Sequence, residues 1–315
     1  MIIDEITSNL SGEFEKDFKY LMDKSDEYYE NDEIVKEIGK LIQMIMDKAK
    51  YEDNIEEILL ECVSDINSGN SEEALSIIEP LINYIESTNI VSEDDEYYYY
   101  NLDDIYEEVL ISFYKRLDKE IRVYDIDYKQ IYYIYGLILY ELNLYEDSIK
   151  ALNKALKYNP ISREVLFELA ENYKVLKDYE AFYKITSLAH NYSYTSLELG
   201  RVFRNYGYYF NKTDRYEEAV CMLNISLSYD NNDVTTTDLG IIMNEHQIDS
   251  FDIDTFRNNY DINLGPNPDV LGIAYNLGKE ALTNNSKEGA QYFLGIAYEL
   301  SGMSEIKELL DQLKD

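Results

Sequence analysis

The sequence is poor in the residues that most often build catalytic and metal centres. Only two cysteines, Cys62 and Cys221, and two histidines, His190 and His246, occur in 315 residues. Neither histidine has a second histidine or a cysteine at metal-ligand spacing, so we predict no metal site. The cysteines lie far apart without a pairing pattern, which is typical of structural thiols in a reducing compartment.

Motifs of the common enzyme classes are also missing. The chain has no glycine-rich phosphate loop, no G-x-S-x-G turn and no cysteine within a catalytic motif. Paired carboxylates occur throughout so acidic a chain and therefore do not indicate a catalytic acid and base. His190 lies near the end of a predicted helix, where a cation is favourable, so its predicted role is structural. We predict that the protein is not an enzyme and uses no cofactor.

Long apolar runs are absent as well. No stretch is apolar over the length that a membrane span requires. The first ten residues carry Asp4 and Glu5 and lack a basic region followed by an apolar core, so no secretory signal is predicted. We therefore expect a cytoplasmic protein.

Basic residues are outnumbered, with 28 Lys and Arg against 63 Asp and Glu, for a net charge of −35. Repulsion between negative charges disfavours direct binding to nucleic acid or to an anionic membrane, and it favours a basic or cationic partner. The acidity also has two alternative causes. The carboxylates could simply solvate helix surfaces, or the protein could come from a salt-adapted proteome.

What the chain does have is apolar surface, much of it from tyrosine. Hydrophobic residues make up 45% of the sequence, and 33 residues are tyrosine. This is enough for a continuous core, which excludes a disordered acidic polymer. Tyrosine can bury its ring while its hydroxyl stays in water, which suits helices that are packed on one side and exposed on the other.

Residues 129–162 carry the spacing of two antiparallel helices that stack on copies of themselves. Large and small side chains alternate at helical spacing, and a proline ends the second helix. The residues concerned are Tyr132, Tyr135, Gly136, Leu139, Ser148, Leu152, Ala155 and Pro160. The same pattern recurs at 163–196, 200–233 and 271–304, and 234–270 has the length of one degenerate copy. The dipeptide Tyr-Glu recurs in the first three copies, as Tyr145-Glu146, Tyr179-Glu180 and Tyr216-Glu217.

The repeat length of 34 residues and the order of large and small positions resemble the tetratricopeptide repeat. The resemblance implies an all-α fold, a right-handed α-solenoid of antiparallel helix pairs ending in a capping helix at 305–313. Residues 201–210, Arg-Val-Phe-Arg-Asn-Tyr-Gly-Tyr-Tyr-Phe, and 167–171 also resemble a group of uncharacterised tetratricopeptide-containing proteins of anaerobic microbes. That second resemblance brings no known activity.

Three regions are predicted along the chain. Residues 1–92 form a helical segment with a degenerate repeat, residues 93–128 form an acidic, tyrosine-rich connection with a helix, and residues 129–315 form the repeat array with its cap. Helix N-caps are expected at Asn31 or Asp32, at Ser71 and at Ser304, and Pro80 is expected to kink or shorten its helix. Residues 265–268 are predicted to be an exposed turn.

The segment 88–100 has two interpretations. It could be a recognition loop, or it could be a solvated connection whose tyrosines pack against a neighbouring helix, because four adjacent residues cannot all face one way. Residues 118–128 are expected to be a mostly irregular link.

Proteins of the family that this chain resembles bind peptides in a concave groove lined by first-helix positions. The resemblance implies that another protein or a peptide is the partner. The implied groove residues are Tyr133, Tyr140, Phe167, Glu171, Lys174, Arg201, Arg204, Asn205, Tyr208 and Lys212. Family members that grip a terminal carboxylate use lysine, asparagine and arginine across consecutive repeats, and this sequence departs from that set at Phe167. Arg201 and Arg204 could contact a ligand, or they could pair with carboxylates such as Glu171 and fix the repeat interface.

These observations favour a non-enzymatic scaffold that binds a protein or peptide in the groove. An alternative is a sensor that changes its superhelix when a small ligand or signalling peptide binds, with 88–100 or 265–268 as hinges.

Overall fold

The structure, a computed structural model, describes residues 2–88, 90–250, 253, 256 and 262–313. The chain forms two compact units. The first contains the chain up to Val91 together with Asp125–Asp127 and Glu141–Asn143. The second contains Ser92–Tyr124, Tyr128–Tyr140 and the chain from Leu144 onward. Each unit buries apolar side chains of its own.

The first unit is helical. Its helices are α1 (Ile2–Ser8), α2 (Phe14–Glu27), α3 (Asp32–Tyr51), α4 (Ile55–Ser68) and α5 (Ser71–Ser87), with a 3-10 turn over Glu52–Asn54. The predicted cap at Asn31 is confirmed, because its side chain accepts a hydrogen bond from the backbone N–H of Ile34 at the start of α3. The apolar sides of α1, α2 and α3 pack together around Ile6, Leu21 and Ile38.

The N-cap predicted for α5 is wrong, and so is the shortening predicted at Pro80. Ser71 is the first residue of the helix, and the N-cap position is held by Asn70. Pro80 lies inside α5, which continues to Ser87 instead of ending early. Proline removes one helical hydrogen bond, but Ile78 and Leu81 on either side of it are fully buried and hold the helix in place.

The second unit contains the repeats. Its helices are α6 (Ile105–Lys115), α7 (Tyr128–Glu141), α8 (Tyr145–Tyr158), α9 (Arg163–Val175), α10 (Tyr179–Tyr192), α11 (Ser196–Lys212), α12 (Tyr216–Tyr229), α13 (Asp233–His246), α14 (Pro268–Thr283), α15 (Lys287–Ser301) and α16 (Ser304–Gln312). Ser304 is the first residue of α16, and Met303 holds the N-cap position predicted for it. The short helix predicted over 253–260 lies outside the described residues except at Ile253 and Phe256.

The four clear repeats share one backbone feature in the turn between their two helices. A non-glycine residue with φ between 56° and 60° stands at the same repeat position in each, at Asn143, Lys177, Asp214 and Asn285. Asparagine and aspartate enter this left-handed region readily, whereas lysine does so rarely. The packing of the two helices therefore imposes the turn geometry at position 177. The predicted α-solenoid of antiparallel helix pairs is confirmed.

A small residue facing a large one sets the spacing within three of the pairs. A Cβ placed on Gly136, Gly207 or Gly278 would lie 2.6–2.7 Å from the side chain of Leu152, Leu223 or Leu294, respectively. In the remaining pair the same two repeat positions hold Ala170 and Thr186, both fully buried. A larger residue on the first helix is thus matched by a smaller one on the second.

Two short strands in the second unit were not predicted. Strands β1 (Tyr97–Tyr100) and β2 (Glu120–Val123) flank α6 in sequence and pair in parallel, with Tyr97 beside Glu120. Residues 118–128 were predicted to be mostly irregular, and β2 occupies only Glu120–Val123 of them. Successive strand residues face opposite sides, so Tyr98 and Tyr100 pack on the core while the rings of Tyr97 and Tyr99 lie 6.4 Å apart on the other face.

The last helix pair, α14 and α15, packs against α6 and against the start of α11. The Tyr106 hydroxyl of α6 donates a hydrogen bond to the backbone carbonyl of Val270, and both residues are fully buried. The backbone N–H of Ser196 donates to the Glu299 carboxylate at 2.7 Å. Elements that are far apart in sequence are therefore in direct contact within the second unit.

The predicted exposed turn at 265–268 is held against the end of α10. The carbonyl oxygen of Gly265 lies 2.7 Å from His190 Nε2, and the side chain of Asn267 donates to the carbonyl of Asn191 at 3.1 Å. Gly265 and Asn267 are half-buried as a result. The turn therefore does not have the exposure that a free hinge of the sensor hypothesis requires.

His190 is buried and structural, but not as a cation. Burial lowers the pKa of its imidazole, and the hydrogen bond to the Gly265 carbonyl opposes this only in part. The folded pKa therefore lies below the usual value near 6.5. Below about pH 6.5 the unfolded chain binds a proton at this residue before the folded chain does, so folding stability falls as the pH is lowered.

We expect a His190→Gln substitution to remove this part of the pH dependence, since glutamine can still donate to Gly265 and does not titrate. The wild type should lose up to about 1.4 kcal/mol more stability per pH unit below pH 6.5 than the variant. Urea unfolding at pH 7.5, 6.5 and 5.5 measures the difference. Parallel stability curves for the two proteins would show that His190 is not buried in its neutral form.

Candidate functional site

A cavity of about 350 Å³ lies among the first helices of successive repeats in the second unit. Helices α9, α11 and α13 supply most of its wall. Seven of the ten groove residues predicted from the sequence line it, namely Glu171, Lys174, Arg201, Arg204, Asn205, Tyr208 and Lys212. The rest of the wall consists of Gly207, Asn211, Leu223, Val234, Asp238, Ile241 and Ile242.

The charge of the cavity wall is opposite to that of the whole chain. Lys174, Arg201, Arg204 and Lys212 line it, against two carboxylates, those of Glu171 and Asp238. The positions on α11 follow from helical spacing, because residues three, seven and eleven positions after Arg201 share its face of the helix. The cavity thus concentrates scarce basic residues in a protein with a net charge of −35.

Tyr208 lies between two of these cations. The ammonium nitrogens of Lys174 and Lys212 are 4.8 Å and 5.4 Å from the centre of its ring. Lys174 also pairs with Glu171 at 3.1 Å, whereas Lys212 has no carboxylate partner among the described residues. Cation–π contacts of this kind hold the ammonium groups near the ring without neutralising their charge.

Both arginines have carboxylate partners outside their own helix, on α9 and at the residue that follows α12. Arg201 lies 3.1 Å from Glu168 and stacks on the ring of Phe167 at 4.6 Å, and Arg204 lies 3.4 Å from Asp230. These contacts support the interpretation that the arginines fix the repeat interface. Each arginine side chain nevertheless remains 30% exposed and lines the cavity.

Asn205 is a buried polar residue of the cavity wall. The residue is only 3% exposed, and its side-chain nitrogen Nδ2 is buried without a hydrogen-bond acceptor in the described part of the chain. A buried donor that lacks an acceptor destabilises a folded protein by about 1–3 kcal/mol. The cavity wall therefore includes a residue whose side-chain donor lacks a hydrogen-bond partner among the described residues.

The remaining wall, on α13, is largely apolar. Val234 is 67% exposed and Ile241 is 48% exposed, while Ile242 is buried. This wall was not predicted, because no groove positions were assigned to the degenerate repeat. The first-helix positions used to select groove residues in the other repeats, counted from residue 234, would have included Asp238 and Ile242 among five residues.

Three predicted groove residues do not line the cavity. Phe167 is buried beneath Arg201. Tyr133 is half-buried, and this partial burial raises the pKa of its hydroxyl, with a nearby Glu164 carboxylate adding to the effect. Tyr140 packs its ring 5.5 Å from that of Tyr145. The first repeat therefore supplies no side chain to the cavity.

The described residues hold neither a metal-binding cluster nor a membrane-spanning helix. No three histidine, cysteine, aspartate or glutamate side chains there are grouped as a metal ion would require. Among the helices that the structure describes, none is both long enough and apolar enough to cross a bilayer.

Comparison with known proteins gives distant structural similarities. No family model matches the chain, and no curated protein matches it. A Pseudomonas aeruginosa pilF structure is 12% identical, with a TM-score of 0.45, over 83% of this chain and 98% of that chain. YrrB, described as a TPR protein with an unusual peptide-binding site, is 16% identical, with a TM-score of 0.34, over 66% of this chain and 98% of its own.

A tetratricopeptide repeat protein from Parabacteroides merdae is also 16% identical, with a TM-score of 0.34, over 84% of this chain and 100% of that one. The fold assignment itself rests on the helix pairs, their shared turn geometry and the glycine–leucine contacts. At that level the resemblance to tetratricopeptide repeats is confirmed.

Proposed function

We propose that the second unit is a non-enzymatic protein-binding module and that the cavity between α9, α11 and α13 receives an extended segment of another protein. The observation that carries this proposal is Asn205, a residue that lines the cavity and whose buried side-chain nitrogen has no acceptor among the described residues. Every extended segment offers backbone carbonyl oxygens, which are suitable acceptors for such a donor.

The charges of the wall favour a segment with an acidic side chain. Arg201, Arg204 and Lys174 already have carboxylate partners, so the attraction comes mainly from Lys212 beside Tyr208. Elsewhere an acidic segment would meet a strongly negative chain and be repelled. The cavity is therefore a place where such a segment can bind.

The α13 wall favours an apolar side chain next to the acidic one. Val234 and Ile241 expose large parts of their side chains, and covering them would remove apolar surface from water. The proposed ligand is thus an extended segment in which an acidic residue and a bulky apolar residue lie close together.

An Asn205→Leu substitution tests the role of the buried amide. Leucine has nearly the same shape and no unsatisfied donor, so the free energy of unfolding should rise by about 1 kcal/mol. Peptides selected from a random library on the wild-type protein should bind the variant about tenfold more weakly, because the hydrogen bond to the peptide is lost. Urea unfolding and fluorescence anisotropy measure the two effects.

The matched control is Asn153→Leu, the same substitution on the exposed side of α8. This variant should bind the selected peptides as the wild type does. Equal binding by all three proteins, or selected peptides with no acidic residue, would contradict the proposal.

A further inference from the structure

Strand β2 has one free edge. Its partner β1 lies between β2 and residues 92–94, because Tyr99 N donates to the Ser92 carbonyl and Tyr98 forms an antiparallel bridge with Glu93. On its other side β2 pairs with no strand in the described part of the chain. The outer edge of this small sheet is therefore β2.

The phase of the ladder shows which backbone groups point outward. Tyr124 N donates to the Tyr100 carbonyl, so Tyr124 and, by alternation, Arg122 and Glu120 direct their backbone groups toward β1. Ile121 and Val123 then direct theirs away from β1. Neither has a backbone hydrogen bond on that side within the described residues, and the Val123 side chain is 58% exposed.

The sequence of β2 is complementary to itself when two copies run antiparallel. A twofold axis through Ile121 places Ile121 opposite its own copy, so that both outward-pointing backbones exchange N–H···O=C bonds. The same axis places Glu120 opposite Arg122 of the second copy, and Arg122 opposite Glu120 of the second copy. A twofold axis between Ile121 and Arg122 would instead place Ile121 opposite Arg122 of the second copy. The backbone groups of Arg122 point toward β1, so this pair could not exchange hydrogen bonds.

The two charged side chains reach solvent, and Arg122 also contacts Tyr97 and Tyr99 of β1. Glu120 and Arg122 are exposed, and neither forms an ion pair among the described residues. The Arg122 guanidinium lies 5.5 Å from the centre of the Tyr97 ring, on one face of the sheet. In an antiparallel ladder such non-hydrogen-bonded pairs bring side chains closest together, and opposite charges there are stabilising.

We propose that two copies of the chain associate through β2, forming a four-stranded sheet in the order β1, β2, β2, β1 around a twofold axis at Ile121. The interface is small, because each strand has four residues, so the association is weak and reversible. The net charge of −35 on each chain opposes it and is screened at about 0.15 M salt. The proposal does not depend on the peptide-binding cavity.

Charge reversal at the two opposed positions gives a decisive test by sedimentation equilibrium. The wild type should show a concentration-dependent monomer–dimer equilibrium. Glu120→Arg alone and Arg122→Glu alone should each weaken dimerisation about tenfold or more, since each places like charges opposite one another twice. Circular dichroism establishes that both variants remain folded.

Mixing the two variants should restore association. In a mixed dimer one strand carries two arginines and the other carries two glutamates, so both opposed pairs again have opposite charges. The double variant Glu120→Arg/Arg122→Glu should also dimerise as the wild type does. Glu217→Arg and Lys287→Glu, on exposed sites of α12 and α15, are charge-matched controls that should leave dimerisation unchanged.

Two results would overturn the proposal. One is a wild-type chain that stays monomeric over the whole concentration range. The other is an equimolar mixture of the two charge variants that associates no better than either variant alone.

Discussion

Replacing Arg163 with methionine is expected to lower the free energy of unfolding by about 3–5 kcal/mol, because it leaves a buried carboxylate without its cation. Arg163 donates from Nη1 to Glu107, from Nε to Glu198 at 2.9 Å and from Nη2 to the hydroxyl of Tyr194 at 2.8 Å. Glu107 is fully buried. The arginine therefore joins α6, α9 and α11 through one charged group.

The loss should depend on pH in a defined direction. Burial already raises the pKa of Glu107, and Arg163 opposes that rise. Without Arg163 the folded pKa lies further above its unfolded value of about 4.5. A carboxyl of this kind binds its proton more readily in the folded state, so the defect is full at pH 7 and shrinks as the pH falls toward 4.5.

Urea unfolding of the wild type and of Arg163→Met at pH 7 and pH 5 measures both effects. The double variant Glu107→Gln/Arg163→Met should recover part of the loss, since the buried charge is gone. Lys184→Met breaks an ion pair with Glu180 whose side chains are 70% and 81% exposed, and it should change stability by less than about 1 kcal/mol. If Arg163→Met lost no more stability than Lys184→Met, the network around Arg163 would not be buried as described.

Replacing Gly136 with alanine is expected to destabilise the second unit by about 1–3 kcal/mol, through overpacking. The added Cβ would lie 2.7 Å from Cγ of Leu152, which cannot move aside as the end of a flexible side chain could. Alanine otherwise favours a helix over glycine by about 1 kcal/mol, so the steric effect must exceed that gain.

The chain itself suggests the compensating change. Ala170 and Thr186 occupy these two repeat positions in the next pair, so Gly136→Ala combined with Leu152→Thr should be less destabilised than the sum of the two single variants. Gly295→Ala is the matched control, because a Cβ there meets nothing within 4 Å. Thermal unfolding of the wild type, the two single variants and the double variant measures the coupling. Strict additivity would mean that the two residues do not set the helix spacing.

Local patterns predicted the parts of the fold that depend on neighbours in sequence. The alternation of Gly136 and Leu152 at repeat positions predicted the helix pairs, because both residues act within one unit of 34 residues. The pairing of β1 with β2 was missed, because a whole helix separates the two strands and nothing near Tyr97 marks its partner. The shortening predicted at Pro80 did not occur, because burial on both sides of the proline outweighs its local effect.

The sequence likewise predicted only part of the candidate site, namely the residues that share one helix. Arg201, Arg204 and Asn205 could be placed together because they share one helix. The ion pairs of Arg201 with Glu168 and of Arg204 with Asp230 join α11 to α9 and to the residue after α12, and they depend on how these helices stack. The unsatisfied amide of Asn205 is a property of its three-dimensional surroundings, which its place in the sequence does not reveal.

The hydrogen bond from Tyr106 to Val270 joins residues that are 164 positions apart along the chain. An open row of repeats contacts only its neighbours and can melt from its ends, one repeat after another. In the second unit α6, near the beginning of the unit, contacts the start of α14, so melting from either end would have to break contacts between distant elements. Heating should therefore disrupt this unit in a single cooperative event, like an ordinary globular domain and unlike an array of independent modules.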